Sequence, residues 1–393
     1  MKQPFTLSFD DTEIAFAYQS DKALKKARWI FDAMHYGWLV KLGSMLAPWA
    51  LKLHLPIQGL IKRTVFGHFC GGETLEEAGA TAGRLAAFGV GVILDYGVEA
   101  AEDEASYDAA VREFIQAVDY AAIQSNIPFI SLKVSGFAHF GLLEKLHRGE
   151  ALLPGETEAY GRVRKRIYAI CERAAQSGIG VLIDAEESWI QHPVDQMAEE
   201  MMIHFNAERP VVFNTFQLYL HSRKASLRKA HEKAQAAGYV LGAKLVRGAY
   251  LEKEGMRAEA QGYPSPLQPS KEATDRAFDE AMVYCMDHLK EIAVFIGSHN
   301  ERSCRLAARL LHEKDLAHDH PHVHFSQLYG MSDNLTFNLS KAGYRVSKYV
   351  PYGPVREVMP YLIRRAQENA SISGQLGREQ RLIHQELRRR NLL

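Results

Sequence analysis

The 393-residue sequence contains only four cysteines. They are widely spaced and form no CxxC motif: Cys70, Cys171, Cys285 and Cys304. This spacing argues against a disulfide framework and against a structural zinc site, and it favours a reducing compartment.

The sequence also shows no targeting leader and no long hydrophobic run. Residues 1–11 contain neither an apolar core nor an Arg- and Ser-rich amphipathic stretch. The least polar early segment, Trp38–Ile61, is interrupted by charged residues and prolines, and it falls short of the about 20 apolar residues that cross a bilayer. We therefore expect a cytoplasmic bacterial protein without a transmembrane helix. Peripheral contact with the inner face of the membrane is a further hypothesis.

No sign of charge predominates, because Lys and Arg together number 47, as do Asp and Glu. This balance argues against nucleic acid as a partner. The sequence has no Walker A loop, GxSxG elbow or HExxH helix. Gly89–Gly91 and Gly178–Gly180 resemble fragments of a dinucleotide fingerprint, but each precedes its strand and lacks the third glycine, so we interpret both as turns. We expect no metal site.

From about residue 88 onward, short apolar β-branched runs alternate with longer segments of helical composition. Eight such runs are present: Gly89–Glu99, Pro128–Phe137, Ile179–Ser188, Pro210–Leu220, Val240–Tyr250, Ile292–Asn300, His322–Met331 and Tyr344–Gly353. Eight units of this kind predict an α/β fold, a closed (β/α)8 barrel, with a doubly wound open sheet as the alternative. We predict three regions: an α-helical arm (1–85), the barrel (86–370) and a basic helical tail (371–393).

The most distinctive segment runs from Tyr349 to Asn369. Pro360 suits the first position of a helix, which predicts that Arg364 and Arg365 lie in its second turn. Two guanidinium groups near a positive helix terminus would bind an anion such as a carboxylate or phosphate. The alternative is a surface helix in which these arginines pair with Glu368.

In a (β/α)8 barrel the active site lies at the C-terminal ends of the strands. Polar or ionisable residues end seven of the eight runs: Lys133, Asp184-Ala185-Glu186-Glu187, Gln217, Lys244 to Tyr250, Ser298-His299-Asn300, Gln327 to Met331 and Tyr349. This set offers cations for an anionic group and aromatic walls, without an obvious acid–base pair. It suits a reaction whose chemistry a bound cofactor performs.

Taken together, these motifs resemble the proline dehydrogenase family over about residues 86–370. The motifs are Tyr-x-Pro-x-Gly with Pro-Tyr-Leu-x-Arg-Arg-x-x-Glu-Asn, Lys244-Leu-Val-Arg-Gly-Ala-Tyr250 and Ile183-Asp-Ala-Glu-Glu187. The resemblance implies an FAD enzyme that converts L-proline to Δ1-pyrroline-5-carboxylate by hydride transfer from proline C5 to flavin N5. It also implies a distorted barrel whose last helix lies over the mouth.

The resemblance further implies roles for individual residues. Arg364, Arg365 and Lys133 would bind the proline carboxylate, Tyr349 and Leu328 would pack on its ring, and Asp184 would hold an arginine. Tyr250 would pack against either the substrate ring or the flavin ring. The remaining implied positions would bind FAD: Ala185, Gln217, Lys244, Val246, Arg247, Gly248, Ser298, His299, Asn300, Gln327 and Glu368.

Leu251 and the loop Tyr263–Ser270 match single-function family members better than members fused to a second enzyme. We therefore expect the product to be released or to pass to a separate pyrroline-5-carboxylate dehydrogenase. The family also implies a membrane quinone as electron acceptor, reached through the apolar arm or the basic tail.

Other functions remain open from the sequence alone. One is hydroxyproline oxidation on the same scaffold, which Tyr349 disfavours because its ring leaves little space for a 4-hydroxyl group. Another is a flavin-free barrel lyase or isomerase whose arginine pair binds the phosphate of a phosphorylated acid. The third is a non-catalytic binding protein.

Overall fold

The computed structural model describes residues 5–36, 38, 41–46, 57–97, 103–371 and 373–393, except for the side chains of residues 35, 368–371 and 373–376. Eight parallel strands close into a barrel in sequence order. The strands are β1 Gly91–Tyr96, β2 Phe129–Leu132, β3 Gly180–Ile183, β4 Val212–Gln217, β5 Leu241–Val246, β6 Ile292–Gly297, β7 Val323–Leu328 and β8 Val346–Tyr352. Each lies within one predicted run, so the closed barrel is confirmed and the open sheet is excluded.

The strands are buried along most of their length, as parallel strands covered by helices must be. All residues of β3, β4 and β8 are buried. Strand β1 pairs with β8 from Gly91 beside Ser347 to Tyr96 beside Tyr352. In this register the last residues of the two strands lie side by side.

Helices alternate with the strands from β1 onward. Before β1, the helices whose bounds lie within the described residues are α1 Thr12–Phe16, α2 Asp21–His35, α3 Gln58–Ile61, a π-helical turn Lys62–Phe66, the short helix Gly67–Phe69, and α4 Leu75–Ala86. Those after it are α5 Glu104–Ala122, α6 Phe140–His147, α7 Pro154–Ser177, α8 Gln191–Phe205, α9 Arg223–Ala237, α10 Leu251–Gln261, α11 Lys271–Asp287, α12 Glu301–Glu313, α13 Asp333–Lys341, α14 Val355–Ser371 and α15 Ser373–Arg389. A 3-10 turn, Val134–Gly136, follows β2.

Local side chains and glycines fix several of these boundaries. Asp103, Ser270 and Asn300 each accept a backbone hydrogen bond at the start of α5, α11 and α12. Gly178 and Gly238 end α7 and α9 in the left-handed conformation that glycine adopts without steric cost.

The chain divides into two compact units, Met1–Glu99 with Gln327–Leu393, and Ala100–Ser326. The first unit has an apolar core in which α2 and Gly67–Phe69 pack with α14 and α15. Its members include Phe31, Phe69, Val358, Leu362 and Leu387. The boundaries of the predicted arm, barrel and tail stay a prediction.

Part of the predicted α-helical arm lies outside the described residues. Of positions 39–55, the structure describes 41–46, and these are helical. Among the residues that the structure describes, no helix is long and apolar enough to cross a membrane.

The predicted position of Pro360 is wrong, because α14 begins at Val355 and contains Pro360 in its interior. The Val355 N–H donates to Glu73 Oε1 at 3.2 Å, which satisfies one free donor at this earlier helix start. Pro360 cannot donate to the carbonyl of Arg356, so α14 lacks one hydrogen bond there. Arg364 and Arg365 consequently lie in the third turn rather than the second.

Candidate active site

The ends of β3 and β5 carry a close ion pair. Lys244 Nζ lies 2.5 Å from Asp184 Oδ1, and the two side chains are only 8% and 15% exposed. A lysine inside a buried strand needs such a partner, because an unpaired buried charge is costly. The resemblance implies an arginine partner for Asp184, and that role stays a prediction.

Glu186, three residues after β3, links two further strand ends. Its Oε1 accepts a hydrogen bond from the Ser135 N–H at 3.0 Å, and its Oε2 contacts the Ser135 hydroxyl. Gln217 Nε2, at the end of β4, donates to the Glu186 carbonyl at 2.6 Å. Burial raises the pKa of the Glu186 carboxyl to about 7, against the opposing effects of Ser135 and Lys133.

Arg247, just after β5, is held by three side chains. Its guanidinium donates to Asp275 at 2.6 Å, to Ser298 at 2.8 Å and to Ser303 at 3.0 Å. It also lies 4.4 Å from the centroid of the Phe278 ring. These contacts fix the cation beside the end of β6 and leave two of its five N–H groups for other acceptors.

The end of β6 leads directly into the N-terminus of α12. Asn300 caps this helix by accepting from the Ser303 N–H at 3.2 Å, and its own N–H donates to Ser298 Oγ at 3.1 Å. His299 is partly buried between them. A helix N-terminus next to Arg247 is suited to an anion such as a phosphate.

Gly248 occupies a position that a larger residue would strain. Its φ is +137°, and a Cβ there would lie 2.3 Å from the Tyr219 ring. Val246, before it, is partly buried, and Tyr250, which precedes α10, is 9% exposed. The Lys253 ammonium lies 5.5 Å from the Tyr250 ring centroid.

Helix α10 is joined to the loop after β3 through Glu254, which is fully buried. Its carboxylate accepts from the Ser188 N–H at 2.7 Å and from the Ser188 hydroxyl at 2.6 Å. Burial raises the pKa of Glu254. Sequence reasoning assigned no role to Glu186 or Glu254. The only signal was the position of Glu186 in the Ile183–Glu187 motif.

The other unit contains the ends of β7 and β8. The Tyr329 N–H donates to the Tyr349 carbonyl at 2.9 Å, and Tyr349 is 8% exposed. Gln327 is buried and accepts from the Thr336 hydroxyl at 2.9 Å, while Leu328 is partly buried against the apolar core. The structure thus brings Tyr349 and the residues after Leu328 together within this unit.

A buried charge network lies beside these residues. Lys348, fully buried, pairs with Asp333 at 2.8 Å and donates to the carbonyl groups of Leu328 and Met331. The Ser332 N–H, in the same segment, donates to Glu379 at 2.9 Å. Burial raises the pKa of Glu379 to about 8, and Asp333 adds to the effect. This network was not foreseen from the sequence.

The arginine pair lies on α14. Arg365 is 7% exposed and its guanidinium carbon is 5.3 Å from the Tyr361 ring centroid, while Arg364 is partly buried. The predicted roles of Glu368, as an ion-pair partner or a cofactor contact, concern a side chain outside the described residues.

Comparison with known proteins identifies the chain. The family model for proline dehydrogenase matches residues 78–378, which include every predicted site residue. The chain belongs to the proline dehydrogenase family. The family expected from the motifs is therefore confirmed, and with it the enzyme class, an oxidoreductase.

Proline dehydrogenase relatives match most of the chain. Proline dehydrogenase 2, mitochondrial, of Arabidopsis thaliana is 31% identical over 99% of this chain and 92% of its own length. The carbapenem antibiotics biosynthesis protein CarD of Pectobacterium carotovorum subsp. carotovorum is 34% identical, over 85% of this chain and 86% of its own length. Human proline dehydrogenase 1, mitochondrial, is 41% identical over 58% of this chain and 39% of its own length.

A solved structure supports the proline dehydrogenase fold. Proline utilization A (PutA) from Bdellovibrio bacteriovorus, inactivated by N-propargylglycine, superposes with a TM-score of 0.73 at 20% identity. The match covers 95% of this chain and 40% of that chain. At this identity the likeness concerns the fold, and it agrees with the closed barrel described above.

Proposed function

We propose that this enzyme oxidises L-proline to Δ1-pyrroline-5-carboxylate with FAD as its cofactor. The observation that carries the proposal is the similarity to a protein named proline dehydrogenase over 99% of this chain. The buried Lys244–Asp184 pair and the two arginines of α14 supply charges that suit an amino acid substrate and an anionic cofactor.

On the substrate side, Lys133, Arg364 and Arg365 bind the proline carboxylate. Each charge-assisted hydrogen bond to a carboxylate contributes about 1.5–3 kcal/mol. Tyr349 and Leu328 provide apolar surface for the pyrrolidine ring. Holding the ring in one orientation lowers the entropic cost of the reaction, which is how positioning residues accelerate a transfer step.

The residues of the Ala100–Ser326 unit fit FAD. The two remaining N–H groups of Arg247 and the N-terminus of α12, with Ser298, His299 and Asn300 beside it, form a positive site that suits the pyrophosphate. Gly248 is exposed and has no side chain, so a ligand can approach its backbone closely. When bound, FAD accepts the two electrons and the hydrogen removed from proline C5.

Further residues around this cofactor position have proposed roles. Lys244 holds a positive charge that favours the reduced flavin, and Asp184 keeps that ammonium in place. Tyr250 forms a wall for the flavin or the substrate. Additional contacts to FAD come from four residues: Ala185, Gln217, Val246 and Gln327. Glu368 is proposed as a further contact on the basis of its motif.

The electrons then pass to a membrane quinone, and the product passes to a separate pyrroline-5-carboxylate dehydrogenase. Exposed apolar side chains in the N-terminal segment support membrane contact, including Trp29, which is 60% exposed, and Met45, which is 65% exposed. Helix α15 ends in the basic residues Arg388 and Arg389. Truncation of either segment should lower quinone reduction with liposomes; if neither truncation does so, peripheral binding through these segments is wrong.

An absorbance spectrum of the purified protein tests the central proposal. Bound oxidised flavin gives bands near about 380 and 450 nm, and L-proline should bleach the longer-wavelength band under anaerobic conditions. A phosphorylated acid of similar size serves as the control and should leave the spectrum unchanged. A protein that binds no flavin under any reconstitution condition would contradict the proposal and favour the flavin-free barrel enzyme.

A further inference from the structure

Glu186 is a buried acid that three separate elements hold. Its carboxylate binds the N–H and hydroxyl of Ser135 in the 3-10 turn after β2. Its carbonyl accepts from Gln217 at the end of β4, and its N–H donates to Gln191 Oε1, at the start of α8, at 3.0 Å. The Glu186 residue is only 3% exposed, its bonds to Gln217 and Gln191 are buried, and its bonds to Ser135 are partly buried.

These bonds connect neighbours of the proposed substrate and cofactor residues. Ser135 lies two residues after Lys133, and Glu186 lies two residues after Asp184 and next to Ala185. The Asp184 N–H also donates to the Leu132 carbonyl at 2.8 Å, so the loops after β2 and β3 are joined on both sides of Lys133. Movement of Glu186 would therefore move the backbone that carries Lys133.

Burying a carboxylate has a cost that an apolar side chain of the same size avoids. A carboxylate has an advantage here because it accepts from two donors of the same residue in a fixed geometry. An apolar side chain could not hold Ser135 in this way, because it accepts no hydrogen bond. The charged groups that act on Glu186 include Lys133, which follows β2, and Glu187, the next residue in its own loop. On α8, Asp195 accepts a hydrogen bond from Gln191, the residue whose side chain also binds the Glu186 N–H.

We infer that Glu186 is a positioning residue that fixes Lys133 for the substrate carboxylate by binding Ser135. This inference rests on the proposed function, in which Lys133 binds the carboxylate of proline. Glu186 itself touches neither substrate nor cofactor in this role. Its loss should weaken carboxylate binding more than it slows the chemical step, because Lys133 holds the carboxylate before and during the reaction.

The test compares Glu186→Ala with Glu186→Gln in the flavin-loaded, full-length protein. Ala removes the link to Ser135, and we expect the KM for L-proline to rise about tenfold or more, which corresponds to about 1.4 kcal/mol, with a smaller change in kcat. Gln can accept from the Ser135 N–H through its oxygen and donate to the Ser135 hydroxyl, so its KM should stay within about threefold of the parent value. A Gln variant as impaired as Ala would show that charge, not the link, matters, and would overturn the inference.

A second readout does not depend on turnover. Cyclopentanecarboxylate, a ring acid without the amine, should perturb the flavin absorbance on binding, and its Kd should rise in Glu186→Ala as the KM does. Glu386→Ala is the matched control, because Glu386 is also buried but binds Arg389 at the end of α15 and Arg390 just after it. It should lower thermal stability without changing this Kd.

Ser135→Ala keeps the test decisive if Glu186→Ala does not fold. It removes the hydroxyl contact alone and should raise the KM and the Kd by a smaller factor. A Ser135→Ala protein with the KM and the Kd of the parent would refute the link. If the parent enzyme bleaches with proline and Glu186→Ala binds the ring acid normally, the positioning role is wrong and the proposed function stands. If the parent does not bleach, the proposed function itself fails.

Discussion

The ammonium of Lys244 on β5 lies 2.5 Å from the carboxylate of Asp184 after β3, and both side chains are largely shielded from water. Two opposite charges at this distance in a partly buried site stabilise each other strongly, although each has lost hydration. The pair is therefore both a structural link between two strands and a source of fixed charge where we propose that the flavin binds.

Removal of one partner should show this double role. Asp184→Ala leaves the Lys244 ammonium without its buried partner, and we expect the free energy of unfolding to fall by about 3–5 kcal/mol. The double variant Asp184→Ala with Lys244→Met removes both charges and should recover much of that loss. Urea unfolding measures the stability, and anaerobic reduction of the flavin by proline should stay slow in both variants. Recovery of the reduction rate in the double variant would contradict a functional role for the charges.

The arginine pair on α14 gives a second prediction. Arg364→Met and Arg365→Met should each raise the KM for L-proline by about 10- to 150-fold, the factor that corresponds to a charge-assisted hydrogen bond of about 1.5–3 kcal/mol, while FAD stays bound. Arg356→Met, an exposed arginine on the same helix, is the control and should leave the KM unchanged. Steady-state kinetics with a dye acceptor checks the result. A loss of thermal stability without a change in KM would instead support the surface ion-pair interpretation.

The barrel could be predicted from the sequence because several strands are short runs of mainly apolar residues, the pattern that burial on both faces of a sheet requires. Val181–Ile183 and Ile292–Ile296 are examples, and both are buried in the structure. The strand-end residues followed from the same pattern, because a barrel sets its site at those ends.

The remaining features depend on contacts between distant residues. Glu254 binds Ser188, 66 positions away, and nothing near either residue in the sequence indicates the other. The start of α14 was misjudged because the donor of Val355 is satisfied by Glu73, 282 positions away, so a helix could begin before Pro360. Local propensity alone favours proline in the first turn.

Substrate choice gives the third prediction. Tyr349 is largely buried at the end of β8, and its ring is proposed to pack on the pyrrolidine ring. Tyr349→Ser removes that ring, so the ratio of kcat/KM for 4-hydroxyproline to that for L-proline should rise by about tenfold, the size of effect that one pocket contact gives. Tyr344→Ser, a change of another buried tyrosine in the same unit, is the control for general loss of packing. An unchanged ratio in Tyr349→Ser would show that Tyr349 does not limit space near the ring.

The Glu379 carboxyl predicts a pH dependence of stability. Burial raises its pKa to about 8 in the folded state, above the ordinary value of 4.5 that it regains on unfolding. The folded protein therefore holds a proton that the unfolded chain releases, and the stability from this group is complete below about pH 4.5 and is lost as the pH rises toward 8.

Glu379→Gln should abolish this dependence of stability on pH, because a neutral amide does not titrate. The melting temperature measured from pH 5 to pH 8 should fall less steeply in the variant than in the parent. Glu386→Gln is a suitable contrast, because bonds from Arg389 and Arg390 overcome the effect of burial and lower the pKa of Glu386. The stability that Glu386 contributes is complete at pH values above its ordinary pKa. The Glu386→Gln variant should therefore show the same change of melting temperature between pH 5 and 8 as the parent. Parallel curves for the parent and Glu379→Gln would show that Glu379 does not titrate in this range.

Gly248 supplies the last prediction, which concerns the cofactor. Gly248→Ala adds a Cβ that would lie 2.3 Å from the Tyr219 ring, at a φ of +137° that residues with side chains rarely adopt. The backbone must shift, and with it the neighbouring Arg247, so we expect the ratio of bound FAD to protein to fall. Gly255→Ala on α10 is the matched control, because no atom lies within 4 Å of the added Cβ and its helical position should gain about 0.5–1 kcal/mol of stability. Flavin absorbance after gel filtration measures the occupancy. A Gly248→Ala protein that loses stability but retains full FAD would show that this turn is not needed for cofactor binding.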